Sequence, residues 1–144
     1  MLTVDRVAAL HRVGLFAAAP GRVLAAVAHA AEEIELGADE PFIVEGAMED
    51  SLYVVLSGTV VVHRGPRVIT EVGAGATVGE MAVLQPEPRS ASVTTKEPTR
   101  LLRLRKRAVD DLLIDHPELA SSVISALVTM VRRSTDLFVQ SPPA

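Results

Sequence analysis

The sequence predicts an α+β domain. Its centre is an antiparallel β-roll, a jelly-roll-like double-stranded β-helix, flanked by N-terminal helices and a long C-terminal helix. Three observations predict it. Apolar residues recur at helical spacing over about residues 3–35. Short β-branched runs, divided by Gly, Pro and Ser turns, fill about residues 40–105. A helical period returns over about residues 107–139. Helices, then closely spaced short strands, then helices again is the order of a small roll capped by helices. At 144 residues, the span 1–144 reads as one domain.

The elements follow in order. Leu10, Val13 and Phe16 share a helical face, and Pro20 starts a new segment. Gly21 to Ala31 is alanine-rich, with Val23, Leu24, Val27 and Ala31 on one side. The helical reading continues to about Glu35. Phe42–Val44 is a short apolar run closed by Glu45-Gly46. Leu52 to Val62 holds two β-rich runs around Ser57-Gly58, which predicts a hairpin. His63-Arg64-Gly65-Pro66 is a turn, and Arg67–Val72 is a strand. Gly73 to Glu87 is loop-like. Ala91–Thr94 and Arg100–Leu104 are strands, with Leu102 and Leu104 facing the core and Arg103 and Arg105 facing water. Ala108 to Asp115 is a short helix ended by His116-Pro117. The last helix runs from about Glu118 to Val139, some 33 Å at roughly 1.5 Å per residue.

That last helix carries two apolar lines. Leu119, Val123, Leu127 and Met130 form one; Ala120, Ile124, Val128 and Val131 form the other. A helix lying on one surface needs a single stripe. Two readings account for the second: a groove of the same domain, or a homodimer in which two such helices pair.

Composition excludes several classes of function. Hydrophobic residues make up 49%, enough for a core. Aromatics are 3%, namely Phe16, Phe42, Phe138 and Tyr53, so base-stacking platforms are excluded. There is no Cys, which removes disulfides, thiolate chemistry, zinc fingers and iron–sulfur sites. A net charge of -4 argues against a nucleic-acid partner. The mean hydropathy of +0.32 is high, yet no apolar run approaches the roughly 20 residues of a membrane span. The start, MLTVDRVAAL, lacks the order of a signal peptide, so a cytoplasmic protein is expected.

Chemistry concentrates in Gly73 to Thr95, GAGATVGEMAVLQPEPRSASVTT. Its glycines let backbone N–H groups approach a ligand closely. A short helix starting near Gly79 would aim free N–H groups at an anion. Arg89 supplies a permanently charged planar fork for phosphate oxygens, and Ser90 adds a hydroxyl. Glu80 repels a phosphate but accepts hydrogen bonds from a sugar hydroxyl. Together they describe a site for a sugar phosphate or nucleotide. The plainer alternative is that Glu80 and Arg89 pair with each other, a contact of small value at a surface.

This stretch resembles the phosphate-binding cassette of the cyclic-nucleotide-binding domain family. The family pattern is aromatic-Gly-Glu-aliphatic-Ala-aliphatic, a spacer, then Arg, a small residue, Ala and a strand. Here it reads Val78-Gly79-Glu80-Met81-Ala82-Val83, then Pro88-Arg89-Ser90-Ala91-Ser92-Val93, and the Glu-to-Arg offset agrees with kinase-type members. Upstream, Glu45-Gly46, Asp50 to Val55 and Ser57-Gly58-Thr59-Val60 resemble a second signature, and Leu10 to Phe16 resembles the N-terminal helical lead-in. The likeness covers about residues 8–138. It implies a cyclic-nucleotide sensor that binds cyclic AMP, with cyclic GMP as the alternative, and no cofactor. It implies Glu80 on the ribose 2′-hydroxyl and Arg89 on the cyclic phosphate. Ser90 and the amides around Gly79, Met81 and Ala82 complete the cradle, and the last helix covers the base. Ser134 and Thr135 fall about where some members set two hydroxyl residues against the base. Two departures stand out: Val78 replaces the usual Phe, and Asp39, shortly before Pro41, replaces a usual Gly. The first is expected to loosen packing under the cassette, the second to change a turn away from the site.

Other motifs carry less. Gly73-Ala74-Gly75 with Gly79 is no dinucleotide fingerprint, because the apolar segment after it stops at Pro86. His11, His29, His63 and His116 are scattered, so no metal site of the cupin type is expected. Glu32-Glu33 and Asp110-Asp111 read as solvated helical faces. Arg100, Arg103, Arg105, Lys106 and Arg107 read either as a partner patch or as an exposed strand face balanced by the acids after it. No Ser/His/Asp arrangement has a supporting motif, so a binding module is expected, not an enzyme. Two further readings are a ligand-free scaffold that retains the fold, and the sensor half of a transcription regulator. Only Gln140 to Ala144 follow Val139, which leaves no helix-turn-helix within this chain.

Overall fold

A computed structural model describes residues 3–140, with side chains for residues 4–133 apart from Met81. The N-terminal layer is α1 (Thr3–His11) and α2 (Gly21–Ala30). The strands are β1 (Glu32–Leu36), β2 (Pro41–Ile43), β3 (Leu52–Ser57), β4 (Val60–Arg64), β5 (Arg67–Val72) and β6 (Thr77–Val78), then β7 (Ser92–Thr95) and β8 (Thr99–Leu104). A short helix, α3 (Glu80–Leu84), interrupts them, and α4 (Lys106–Asp115) and α5 (Pro117–Gln140) close the described chain. The strands form two antiparallel four-stranded sheets, ordered β1-β8-β3-β6 and β2-β7-β4-β5. Their winding around each other is the expected β-roll.

The core has two compartments. Leu52, Val54, Leu102 and Leu104 of the first sheet meet Leu10, Phe16, Val23, Leu24 and Val27 of the helical layer, together with Leu119 and Val123 of α5. Tyr53, Val55 and Leu101, on the other face of that sheet, meet Ile43, Val60 and Val93 of the second. After α1 the chain continues in single turns: Val13 N–H reaches Leu10 O at 3.1 Å, and Phe16 N–H reaches Val13 O at 3.0 Å. Both side chains stay buried, which is why their spacing reads as helical.

The structure corrects four expectations. Glu32 to Glu35 is strand β1, not the end of a helix. Glutamates favour helix locally, but here pairing with β8 decides. Glu32 lies opposite Arg103 and Glu35 opposite Arg100. Arg103 donates to Glu32 at 2.7 Å, Arg105 to Glu32 at 2.9 Å, and Arg100 to Glu33. The basic group is thus balanced mainly by acids that precede it by some seventy residues, and Lys106–Asp110 at 3.1 Å is the local exception. Ser57-Gly58 is not a hairpin turn, since β3 and β4 lie in different sheets. Gly58 has φ +93°, and a Cβ there would stand 2.7 Å from Pro98 O, so the chain crosses between sheets against the β7–β8 turn. The hairpin is at Gly65-Pro66, where Arg64 faces Arg67 across β4 and β5. Finally, Gly73 to Glu87 is not all loop, for it contains β6 and α3.

Helix α5 is anchored at its start. Arg22 donates to Glu118 at 2.5 Å, and the buried Ser122 hydroxyl to Leu15 O at 3.1 Å. Of its two apolar lines, Leu119 and Val123 are buried, whereas Ile124, Val128, Met130 and Val131 are 43–65% exposed. Among the described residues no helix is long and apolar enough to cross a membrane.

Candidate functional site

A cavity of about 290 Å³ opens between the inner face of the second sheet and the segment from Thr77 to Ala91. Its floor is one transverse row. Ile43 of β2 lies opposite Val93 of β7, Val93 opposite Val62 of β4, and Val62 opposite Thr70 of β5. All four line the cavity. Three are aliphatic, and Thr70 at the sheet edge is the polar member.

The other wall is the Gly79–Ala82 turn and the Arg89–Ser90 step. Gly79 has φ +86°, a conformation costly for other residues. A Cβ there would stand 2.5 Å from Arg89 Nη1 and 2.7 Å from Ser51 O, so glycine also permits the close approach of Arg89. Glu80 follows as the first residue of α3, and Ala82 is buried. The Met81 and Ser134–Thr135 backbones belong to α3 and α5, but their side chains lie outside the described residues.

Arg89 is 5% exposed, unusual for a cation. Nη2 donates to Glu49 Oε2 and to Ser51 O at 2.6 Å, and Nη1 reaches Gly79 O at 3.4 Å. Its Nε is buried without a partner. Backbone bonds clamp its segment: Arg89 N–H donates to Ala47 O at 2.8 Å, and Gly46 N–H to Arg89 O at 2.8 Å. The expected alternative of a Glu80–Arg89 pair is therefore corrected: the arginine pairs with Glu49. The Glu80 side chain makes no hydrogen bond or ion pair among the described residues. Burial pushes the Glu49 carboxyl up, but hydrogen bonds from Ser51 and Arg89 outweigh it and hold it below the ordinary carboxylate range.

Gly79, Glu80, Ala82, Arg89 and Ser90 are thus brought to one wall. Sequence reasoning missed Glu49 and Thr70. Thr70 has the same parity as Val72 on β5, and that alternation could have placed it inward. For Glu49 the signal was weak: Glu45, Glu49 and Asp50 all precede β3. Val78, in place of an aromatic, is buried opposite Tyr53. Asp39 adopts a left-handed conformation, with φ +59°, and its N–H donates to Thr95 O at 2.8 Å. No group of three or more metal-ligating side chains occurs among the described residues. His63 is engaged by Gly65 O and Thr94 Oγ1.

Residues 33–116 match the family model described as cyclic nucleotide-binding domain. The chain is 26% identical over 132 residues to a CRP-like cAMP-activated global transcriptional regulator of Mycobacterium tuberculosis, covering 88% of this chain and 59% of that protein. It therefore spans less than two thirds of that relative's length. It is similar to the N-terminal domain of a transcriptional regulator from Streptomyces coelicolor A3(2), with TM-score 0.82, 29% identity, and coverage of 90% and 94%. It is also similar to the regulatory domain of Toxoplasma gondii PKA, co-crystallised with cAMP, with TM-score 0.72, 29% identity, and coverage of 76% and 44%.

Proposed function

The chain belongs to the cyclic nucleotide-binding domain family, and on that premise we propose that it is a cytoplasmic sensing module for cyclic AMP that signals through its C-terminal helix. The observation that carries this is Arg89: a cation only 5% exposed, on the wall of a cavity whose floor is largely aliphatic. A monoanion attached to a flat, largely apolar base fits both surfaces. The names of two relatives support cyclic AMP, one being cAMP-activated and one crystallised with cAMP.

In this reading Arg89 takes the cyclic phosphate by charge-assisted hydrogen bonds. The backbone amides of Gly79, Met81 and Ala82 and the Ser90 hydroxyl complete the cradle. Glu80, whose carboxylate would repel the phosphate, accepts from the ribose 2′-hydroxyl instead. The base lies on Ile43, Val93 and Val62 with its polar edge toward Thr70. Helix α5 closes over it, bringing Ser134 and Thr135 to the base. Signalling is a population shift: the ligand binds better when α5 is closed, so it favours that state. The exposed line Ile124, Val128 and Val131 pairs with the same line of a second copy, giving a homodimer. The module performs no catalytic step and needs no cofactor.

Calorimetry with cyclic AMP, cyclic GMP and AMP tests this. Cyclic AMP should bind most tightly, and Arg89→Ala should weaken it at least ten- to a hundredfold, because each charge-assisted bond is worth roughly 1.5–3 kcal/mol. Absence of cyclic-nucleotide binding to the wild type, or an unchanged affinity in the variant, overturns the assignment. The rival reading is a scaffold that keeps the fold without ligand, which the bare apolar line of α5 also suits. Its thermal transition would be indifferent to cyclic AMP, whereas a ligand at about 100 times its Kd adds roughly 2.7 kcal/mol.

A further inference from the structure

Glu87 has no part in the ligand reading above, yet it lines the same cavity as Glu80 and Arg89. It stands between Pro86 and Pro88, which stiffens its segment. Proline fixes its own φ, and Pro88 biases Glu87 to extended backbone. Immediately downstream the chain is clamped, with Arg89 N–H on Ala47 O at 2.8 Å and Gly46 N–H on Arg89 O at 2.8 Å. Glu87 and Arg89 are two residues apart, roughly 7 Å in extended chain, which is inside the screening length of about 8 Å at physiological salt. The Glu87 side chain is exposed and makes no hydrogen bond or ion pair among the described residues.

The charges around the cavity are not those of a simple anion trap. Among the lining residues Arg89 is the one cation, against two carboxylates, Glu80 and Glu87. Behind Arg89, Glu49 already answers its charge. Arg64 comes near, its Nε donating to Ser90 O at 2.9 Å, but it is exposed and does not line the cavity. An anion here is taken by the direction of N–H donors rather than by a positive field. Each further negative charge on it meets repulsion that no lining cation offsets.

We propose that Glu87 is a charge-selecting residue of this cavity: it tolerates a phosphate diester with one negative charge and disfavours a monoester with nearly two. This rests on the ligand reading above. A phosphate monoester carries about −1.5 to −2 charges at pH 7, whereas a cyclic diester carries one. Glu80 cannot serve the same end, because in that reading the ribose hydroxyl occupies it; Glu87 stays free. Its place between two prolines matters, since a carboxylate on a pliant loop would turn away from the ligand at little cost.

The test compares wild type, Glu87→Gln and Glu87→Lys. Cyclic AMP is titrated directly, and AMP is measured by its displacement of cyclic AMP. Both are done at about 0.01 M and about 1 M ionic strength, where the screening length is roughly 30 Å and roughly 3 Å. At low salt the ratio of AMP to cyclic AMP affinity should rise about threefold in Glu87→Gln and about tenfold in Glu87→Lys. At high salt the three proteins should converge. Melting temperatures without ligand should agree, because the side chain is exposed. If AMP displaces cyclic AMP no better from Glu87→Lys than from wild type at low salt, the proposal is overturned and the ligand reading stands. A change equal for both ligands, or one that survives at high salt, also overturns it, since packing of the loop rather than charge would then be at work. If wild-type protein binds no cyclic AMP, the ligand reading itself fails and charge selection falls with it. The two failures are thus told apart.

Discussion

The two sheets have the same number of strands and opposite surroundings. The first is covered on both faces: Leu52, Val54, Leu102 and Leu104 meet helices, while Tyr53, Val55 and Leu101 meet the other sheet. Burial on both sides is why its central strand β3 reads as a nearly unbroken apolar run. The second is covered on one face. There β7 alternates, Val93 and Thr95 inward against Ser92 and Thr94 outward. The sheet with fewer packing obligations lends its inner face to the cavity. The doubly covered sheet acts as scaffold and neutralises its arginines on β1 acids. The cavity and the doubly covered scaffold thus divide between the sheets, and Arg89 is where they touch.

The largest expected effect tests that division directly. Leu102 is fully buried at the centre of the first sheet, and Leu102→Ala should cost about 3–5 kcal/mol in denaturant unfolding. The matching change on the cavity floor, Val62→Ala, should cost less than about 1.5 kcal/mol, because Val62 is only partly buried and the site is open. Its effect should appear in cyclic AMP affinity instead. Equal losses of stability at the two sites would break the comparison.

Acid sharpens it. Glu32 and Glu33 lie below the ordinary carboxylate range, the former through hydrogen bonds from Arg103 and Arg105 and the latter through Arg100. Glu49 is lowered too, its hydrogen bonds with Ser51 and Arg89 overcoming burial. Groups with depressed folded values stabilise the protein fully above their unfolded value, about 4.3 for Glu, and lose that contribution as pH falls through the folded value. Melting temperatures should therefore stay flat with respect to these carboxyls from pH 7 to about 5 and fall below about 4. A variant with Glu32→Gln and Glu33→Gln should show a shallower acid limb, and an unchanged limb would remove the β1 acids from the account.

The smallest effect concerns the turn that carries the chain from the first sheet to the second. Asp39 occupies a left-handed conformation there, with an exposed side chain. Asp39→Gly should relieve strain, while glycine gives some of that gain back as unfolded-state entropy. The net change in thermal unfolding should be under about 1 kcal/mol. A larger loss would mean that the aspartate side chain, not the backbone conformation, maintains the crossing.

Much of this was legible beforehand, and the reasons differ by region. The roll and its flanking helices follow from hydrophobic period and turn residues, which are local. Gly79, Glu80, Arg89 and Ser90 are legible because one short loop carries them all. Strand β1 was not, since EEIEL follows an alanine-rich helix and its glutamates become strand residues only by meeting Arg100 and Arg103. Nor was the sheet crossing at Gly58, because a glycine between two β-rich runs has the same signature whether the strands pair or part.

The order of residues alone determined the fold class and which loop would line the cavity, because both depend on spacing and on the conformations that glycine permits. Only the tertiary structure decided which acid neutralises Arg89, and that it is Glu49 rather than Glu80. A buried cation takes the carboxylate that the fold brings within hydrogen-bonding reach. Glu49 is forty residues away along the chain, and the β2–β3 loop, clamped to Arg89 by backbone bonds at Gly46 and Ala47, brings it there.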